Sequence, residues 1–235
     1  MPPLSEALAG LMGGLGLSAA SGLNTYVSLI TLGLAHRNGW ITLAAPYDWL
    51  GNEYLLLAIT LLGLIDLIGD KIPAVDHVLH TVGMFLAPIA SAILFASQTS
   101  SVIQIHPVIL LAAGCLVGST VHLSRSAIRP AVNVATAGTG TTVVSAIEDL
   151  VALMLSILAV VLPILAGMIA IVLLIMMSWL FFRVLGYAKV RLRQRWLRQT
   201  GDAAIHVDEP RRDQVSDIPP PADLDGQKFP PELHD

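Results

Sequence analysis

The residues able to do chemistry fall into a few spaced groups. Asp66 and Asp70 are four apart, so on a helix they share a face. Two such carboxylates can hold a cation, or share a proton because like charges raise one pKa. Lys71 follows directly and offers an ion-pair partner. Asp76, His77 and His80 put a carboxylate and two imidazoles within one helical turn, a donor set suited to a divalent metal. Asp76 also suits an N-cap after Pro73. His122, Arg125 and Arg129 make a cationic helix face that fits a phosphate, an anionic head group or a carboxylate. Ser145, Glu148 and Asp149 place two acids inside an apolar run, and they are the strongest functional signal in the chain. Ser145-x-x-Glu148 also has the form of a capping box.

The elements that position these groups follow from composition. Of 235 residues, 54% are hydrophobic and 13% charged, against roughly 25% charged in an average soluble protein. A single soluble domain of this length cannot hide so much apolar surface. This excludes an ordinary cytosolic enzyme, a disordered chain and a secreted disulfide scaffold. The one cysteine, Cys115, excludes an intrachain disulfide and a cysteine zinc site. The fold class is therefore all-α, a polytopic membrane helix bundle.

About six spans of roughly 20 apolar residues are expected: 7–35, 52–70, 78–98, 106–127, 141–162 and 164–186. Pro130 and the Thr/Gly run at 136–142 should close the fourth. The domain boundaries are 1–186 for the bundle, 187–200 for a basic juxtamembrane segment and 201–235 for a disordered acidic, proline-rich tail. Residues 183–200 hold six Lys/Arg and no acid, whereas 201–235 hold nine acids, three Lys/Arg and six prolines. The tail cannot bury enough apolar surface to offset its ordering entropy.

The basic segment favours a cytoplasmic C-terminus, and six spans then place the N-terminus there too. No signal peptide is expected, because Glu6 sits where a positive region should be. In this arrangement the charges of four helices gather in the cytoplasmic half as one polar cleft. Partners implied are the lipid bilayer, anionic lipids at 183–199 and, for the bundle, a second copy of itself; nucleic acid is not among them. The first span is rich in small residues, which let helices approach closely. It can also break at Gly22-Leu23-Asn24 before Tyr26, so that freed backbone groups line a site. The spans can be grouped as an inverted 3+3 repeat, with paired acids in the second and fifth.

Ser18-Ala-Ala-Ser-Gly-Leu-Asn-Thr-Tyr26, Asp70-Lys-Ile-Pro-Ala-Val-Asp76, His122-x-x-Arg125-x-x-x-Arg129 and Ser145-x-x-Glu148-Asp149 together resemble an uncharacterised family of bacterial integral membrane proteins, domain of unknown function 4126. The resemblance covers about residues 5–185. The family commonly has a glutamate where this chain has Asp66, and often lysine at the position of Arg125; both differences keep charge. The resemblance implies a bacterial inner-membrane protein and supports this choice of residues, but no activity.

Two classes of function fit. In a transporter or permease-like carrier, the acids take a proton or divalent cation, and Arg125 and Arg129 neutralise them or hold an anionic substrate. In a lipid-phosphate binding protein or phosphatase-like enzyme, Arg125, Arg129 and His122 bind phosphate, and Ser124-Arg125-Ser126 resembles an arginine-serine motif. A non-catalytic assembly subunit with internal ion pairs is the third reading. The carrier is favoured over the enzyme.

Overall fold

The computed structural model describes residues 3–43, 45–69, 73–100, 105–136 and 140–207, with side chains placed for all of these except 73–80, 131, 133, 135, 141–142 and 187–207. Among them are seven α-helices: α1 (Leu4–Leu23), α2 (Thr25–Arg37), α3 (Glu53–Gly69), α4 (Pro73–Thr99), α5 (Pro107–Ala135), α6 (Gly140–Val161) and α7 (Pro163–Val207). A 3-10 turn at Asp48–Gly51 precedes α3. The chain divides into two units, 1–186 and 187–235. Helix α7 extends seven residues past position 200, into the stretch read from sequence as tail.

Among the described residues four segments are long and apolar enough to cross a bilayer: Thr81–Thr99, Pro107–Pro130, Val143–Val161 and Pro163–Gly186. Their outward side chains are large and apolar, among them Phe85, Leu116, Met154 and Val172. Such a surface is stable facing lipid and not facing water. Pro130 does not end α5, which continues to Ala135. A helical proline removes only one backbone donor, a loss that neighbouring groups in a bundle can absorb.

Helix α1 is central. From Gly13 to Leu23 only Leu15 is not fully buried, and α4, α5 and α6 all pack on it. Its small residues make that possible. A Cβ on Gly16 would lie 3.0 Å from Ala166 Cβ, and one on Gly22 would lie 2.6 Å from Val121 Cβ. Helices this close also exchange polar contacts. Ser18 Oγ donates to the Ser91 carbonyl at 2.9 Å, and Ser91 Oγ donates back to the Ser18 carbonyl at 3.3 Å. Helices α4 and α5 meet the same way, at Gly114 and Gly118 against Ser91.

The first expected span is two helices, not one crossing. Asn24 stands between them in extended conformation (φ −142°, ψ 108°). Helix α1 runs antiparallel to α6: Gly13 lies at Pro163, Gly16 at Ala159 and Asn24 at Asp149. Helix α2 runs parallel to α6, since Asn24 meets Asp149 and Ser28 meets Ser156. The two therefore form a hairpin that enters and leaves at one end of the bundle. That end also carries the Arg37–Glu53 ion pair, the Thr99 contact to Gly10 and the close of α6. Asn24 and the charged residues of α5 and α6 lie toward the other end. The start of α1 thus lies toward the end opposite the charged cluster. The six-span count is not confirmed, and an inverted repeat gains no support: α1 turns back at Asn24, while its expected counterpart α5 runs unbroken.

Gly114→Ala puts a Cβ 2.4 Å from the Ser91 carbonyl oxygen. Overpacking of this kind costs about 1–3 kcal/mol, more than alanine's gain in helix propensity of about 1 kcal/mol. Thermal unfolding in detergent should show a lower midpoint for Gly114→Ala. Gly186→Ala, which meets nothing within 4 Å, should show no loss.

Candidate functional site

Breaking a helix inside a bundle exposes backbone groups that must find partners. Asn24 supplies two. Its Oδ1 accepts from Val27 N–H at 3.0 Å, which caps the start of α2. Its Nδ2 donates to Asp149 Oδ1 at 2.8 Å. The hydroxyl of Thr25 donates to the Ser21 carbonyl at 3.0 Å, and that of Ser28 to the Asn24 carbonyl at 3.1 Å. Ser156 Oγ then donates to Ser28 Oγ at 3.0 Å, tying α6 to α2. At the end of α1, the Leu23 carbonyl accepts from Arg125 Nη1. Each broken end thus meets charge of the favourable sign. A guanidinium faces the negative end of α1, and a carboxylate lies by the positive start of α2.

Arg125 and Arg129 lie one turn apart on α5, and Ser145, Glu148 and Asp149 within one turn on α6. Glu148 Oε2 is 2.6 Å from Arg125 Nε and 3.5 Å from Arg129 Nη2. Arg129 Nη2 donates to Ser145 Oγ at 3.2 Å. The side chains of Arg125 and Glu148 are each 15% exposed, and that of Arg129 is 19% exposed. Arg125 Nε and Glu148 Oε2 are buried atoms with no aligned hydrogen bond, although they are in contact. Their attraction is that of an ion pair rather than of a directed N–H···O bond.

The structure brings together Asn24, Arg125, Arg129, Ser145, Glu148 and Asp149. Asp66 lies on α3, within electrostatic reach of Tyr26. Tyr26 itself packs on Gly63, where a Cβ would come within 2.9 Å of its own. Gly22 serves close packing against Val121 and the Gly118 carbonyl. His122 is buried, with its ring over Gly83 of α4. The hydroxyls of Ser124 and Ser126 bond back to the carbonyls of Thr120 and His122 on their own helix. Asp70 and Lys71 lie outside the described residues. Asp76, His77 and His80 lie on the first turns of α4, and their side chains are likewise outside them. Among the described residues no group of three or more His, Cys, Asp or Glu side chains could hold a metal.

Sequence reasoning missed the Leu23 carbonyl and the Ser28–Ser156 contact. A backbone acceptor leaves no mark on residue type. Two serines 128 positions apart carry no signal beyond their presence in apolar helices.

This arrangement of apolar helices around a buried, charge-capped helix break defines a polytopic membrane protein. Residues 11–183 match the family described as Domain of unknown function (DUF4126), and the chain belongs to that family. No curated protein and no solved structure matches it.

Removing one partner of a largely buried ion pair leaves the other charge uncompensated, at a cost of about 3–5 kcal/mol. Arg125→Gln and Glu148→Gln should each lose stability on this scale in detergent unfolding. The double variant should lose less than the sum, by about 1–3 kcal/mol. Additive losses would mean that the two side chains do not interact.

Proposed function

We propose that this protein is a membrane carrier whose solute site lies at the tip of the α1–α2 hairpin, between α5 and α6. The observation that carries this reading is the break at Asn24, whose two helix ends face Arg125 and Asp149. Half-helix ends and uncapped carbonyls are the means by which carriers hold charged solutes away from water. A purely structural ion pair has no need of a broken central helix beside it. Glu148 and Asp149 on an apolar helix fit the same reading, since ionisable groups at such depth mark solute or ion paths.

The distribution of basic residues supports an orientation. Arg125 and Arg129 belong to the end of the bundle that carries the site, and Arg37 to the other. The site end then faces the cytoplasm, as positive residues do. The basic run from Arg183 to Arg198 suits anionic lipid. The start of α1 faces the opposite compartment.

Two experiments test this. In a Cys115→Ser background, Ser5→Cys should react with a membrane-impermeant maleimide on intact cells, and Arg198→Cys only after lysis; the reverse pattern would invert the orientation. For transport, the full chain is reconstituted in vesicles loaded with a pH-sensitive dye and given proton, sodium or phosphate gradients in turn. Flux above that of Arg125→Gln vesicles is expected for at least one. Equal leak for all three would count against a carrier.

A further inference from the structure

We propose that the segment joining α2 to α3 is an interfacial anchor. Its partner is the lipid headgroup layer at the end of the bundle opposite the charged cluster, and its seat there fixes the depth of the helix break. This holds whether or not the protein carries a solute.

The segment is pinned from within. Between Arg37 and Glu53 the side chains of Leu43, Tyr47 and Leu50 are buried. The Leu43 N–H donates to His36 Nδ1 at 3.3 Å. A Cβ on Gly33 would lie 2.5 Å from the Leu50 carbonyl oxygen, and one on Gly51 would lie 2.8 Å from His36 Cδ2. Both described stretches, 38–43 and 45–52, are therefore held against α2. What they hold outward is aromatic. Trp40 is 71% exposed and Trp49 46%, and Tyr54 on the first turn of α3 is 82% exposed.

Water is a poor neighbour for these rings, and hydrocarbon is a poor one for their N–H and O–H groups. The headgroup boundary suits both. Charge marks where that boundary runs. Arg37 closes α2 and Glu53 opens α3, and the two pair at 2.8 Å with both side chains exposed. No Asp, Glu, Lys or Arg lies between Asn24 and Arg37, or between Glu53 and Asp66. The neighbouring crossings end at this end of the bundle too: Thr99 of α4 meets Gly10, and α6 closes beside Gly13. A bilayer surface must pass here, which favours lipid over a protein as the partner of the exposed rings.

Helix α7 carries the other boundary. It starts beside Gly13 at Pro163. The Arg183 guanidinium lies 4.9 Å from the centroid of the Trp179 ring. Trp179 is about 24 Å along the helix from Pro163, and Arg183 about 30 Å, against a hydrocarbon core of about 30 Å. Helix α2 has 13 residues, so Asn24 lies about 20 Å from Arg37 along its axis. The break then sits about two-thirds of the way across the core, nearer the charged end.

The test reads depth by fluorescence quenching in phosphatidylcholine vesicles that hold the full chain. Trp179→Phe with Trp196→Phe leaves only Trp40 and Trp49 as indoles. Their emission should fall most with lipids brominated close to the headgroup and least with lipids brominated at the chain ends. In a Cys115→Ser background, Trp40→Cys with an environment-sensitive fluorophore repeats the reading if the phenylalanine variants fold poorly. Leu150→Cys in the same background reports the level of the break, because Leu150 is exposed and its neighbour Asp149 bonds Asn24. That label should be quenched most by chain-end bromines. Loop indoles quenched by aqueous iodide but by no brominated lipid would place the segment in water and overturn the anchor. Strongest quenching of the loop by chain-end bromines would do the same. Shielding from every lipid that is lifted by diluting the protein into excess lipid would assign the rings to a second copy instead. A Leu150 label no deeper than the Trp40 label would overturn the depth of the break.

Discussion

Backbone amides and carbonyls cannot be left unbonded in a medium without water, and this one constraint organises the molecule. Asn24 interrupts the central helix where no solvent can repair the damage. Side chains around it bond backbone atoms at the break: Arg125 the Leu23 carbonyl, the Asn24 amide the start of α2, Thr25 and Ser28 the Ser21 and Asn24 carbonyls. The charges then need charges of their own, which is what Glu148 and Asp149 supply. The cluster looks elaborate, but it follows step by step from a single non-helical residue.

The same constraint explains the smallness of α1. A helix that ends inside the bundle must be surrounded on all sides, so α4, α5, α6 and the first turns of α7 crowd onto it. Only glycine, alanine and serine leave room for that. Dispersion between close backbones and reciprocal serine bonds such as Ser18–Ser91 then replace the hydrophobic effect, which cannot act between surfaces that lipid already solvates.

The apolar crossings are legible in the sequence because hydropathy and length decide them. The expected spans 78–98, 106–127, 141–162 and 164–186 overlap α4 to α7, with starts that differ from those of the helices by five residues or fewer. The reversal at Asn24 is not legible. Residues 7–35 carry no charged side chain, and hydropathy is blind to direction. What turns the chain is the fit of Ser28 to Ser156 and of Asn24 to Asp149, 128 and 125 positions away. At the site, helical spacing places Arg125 beside Arg129 and Glu148 beside Asp149. It does not say that Glu148 goes to the arginines and Asp149 to Asn24. That division depends on how α6 is rotated against α1 and α5, which is settled by packing at Gly13 and Gly16 well below the site.

The hairpin also sets a problem of timing for synthesis. It is translated first, yet its tip is completed by residues made much later: Arg125 comes 102 positions after the carbonyl it caps, and Asp149 comes 125 after Asn24. At about 5–20 residues per second, ribosomes take roughly 6–25 seconds to cover that distance. During this interval α1 and α2 exist without the helices that bury them, carrying an open break and too many small residues to hold in lipid alone. The centre of the finished molecule is the part that must wait longest, and its insertion is an assembly step completed only when α6 arrives.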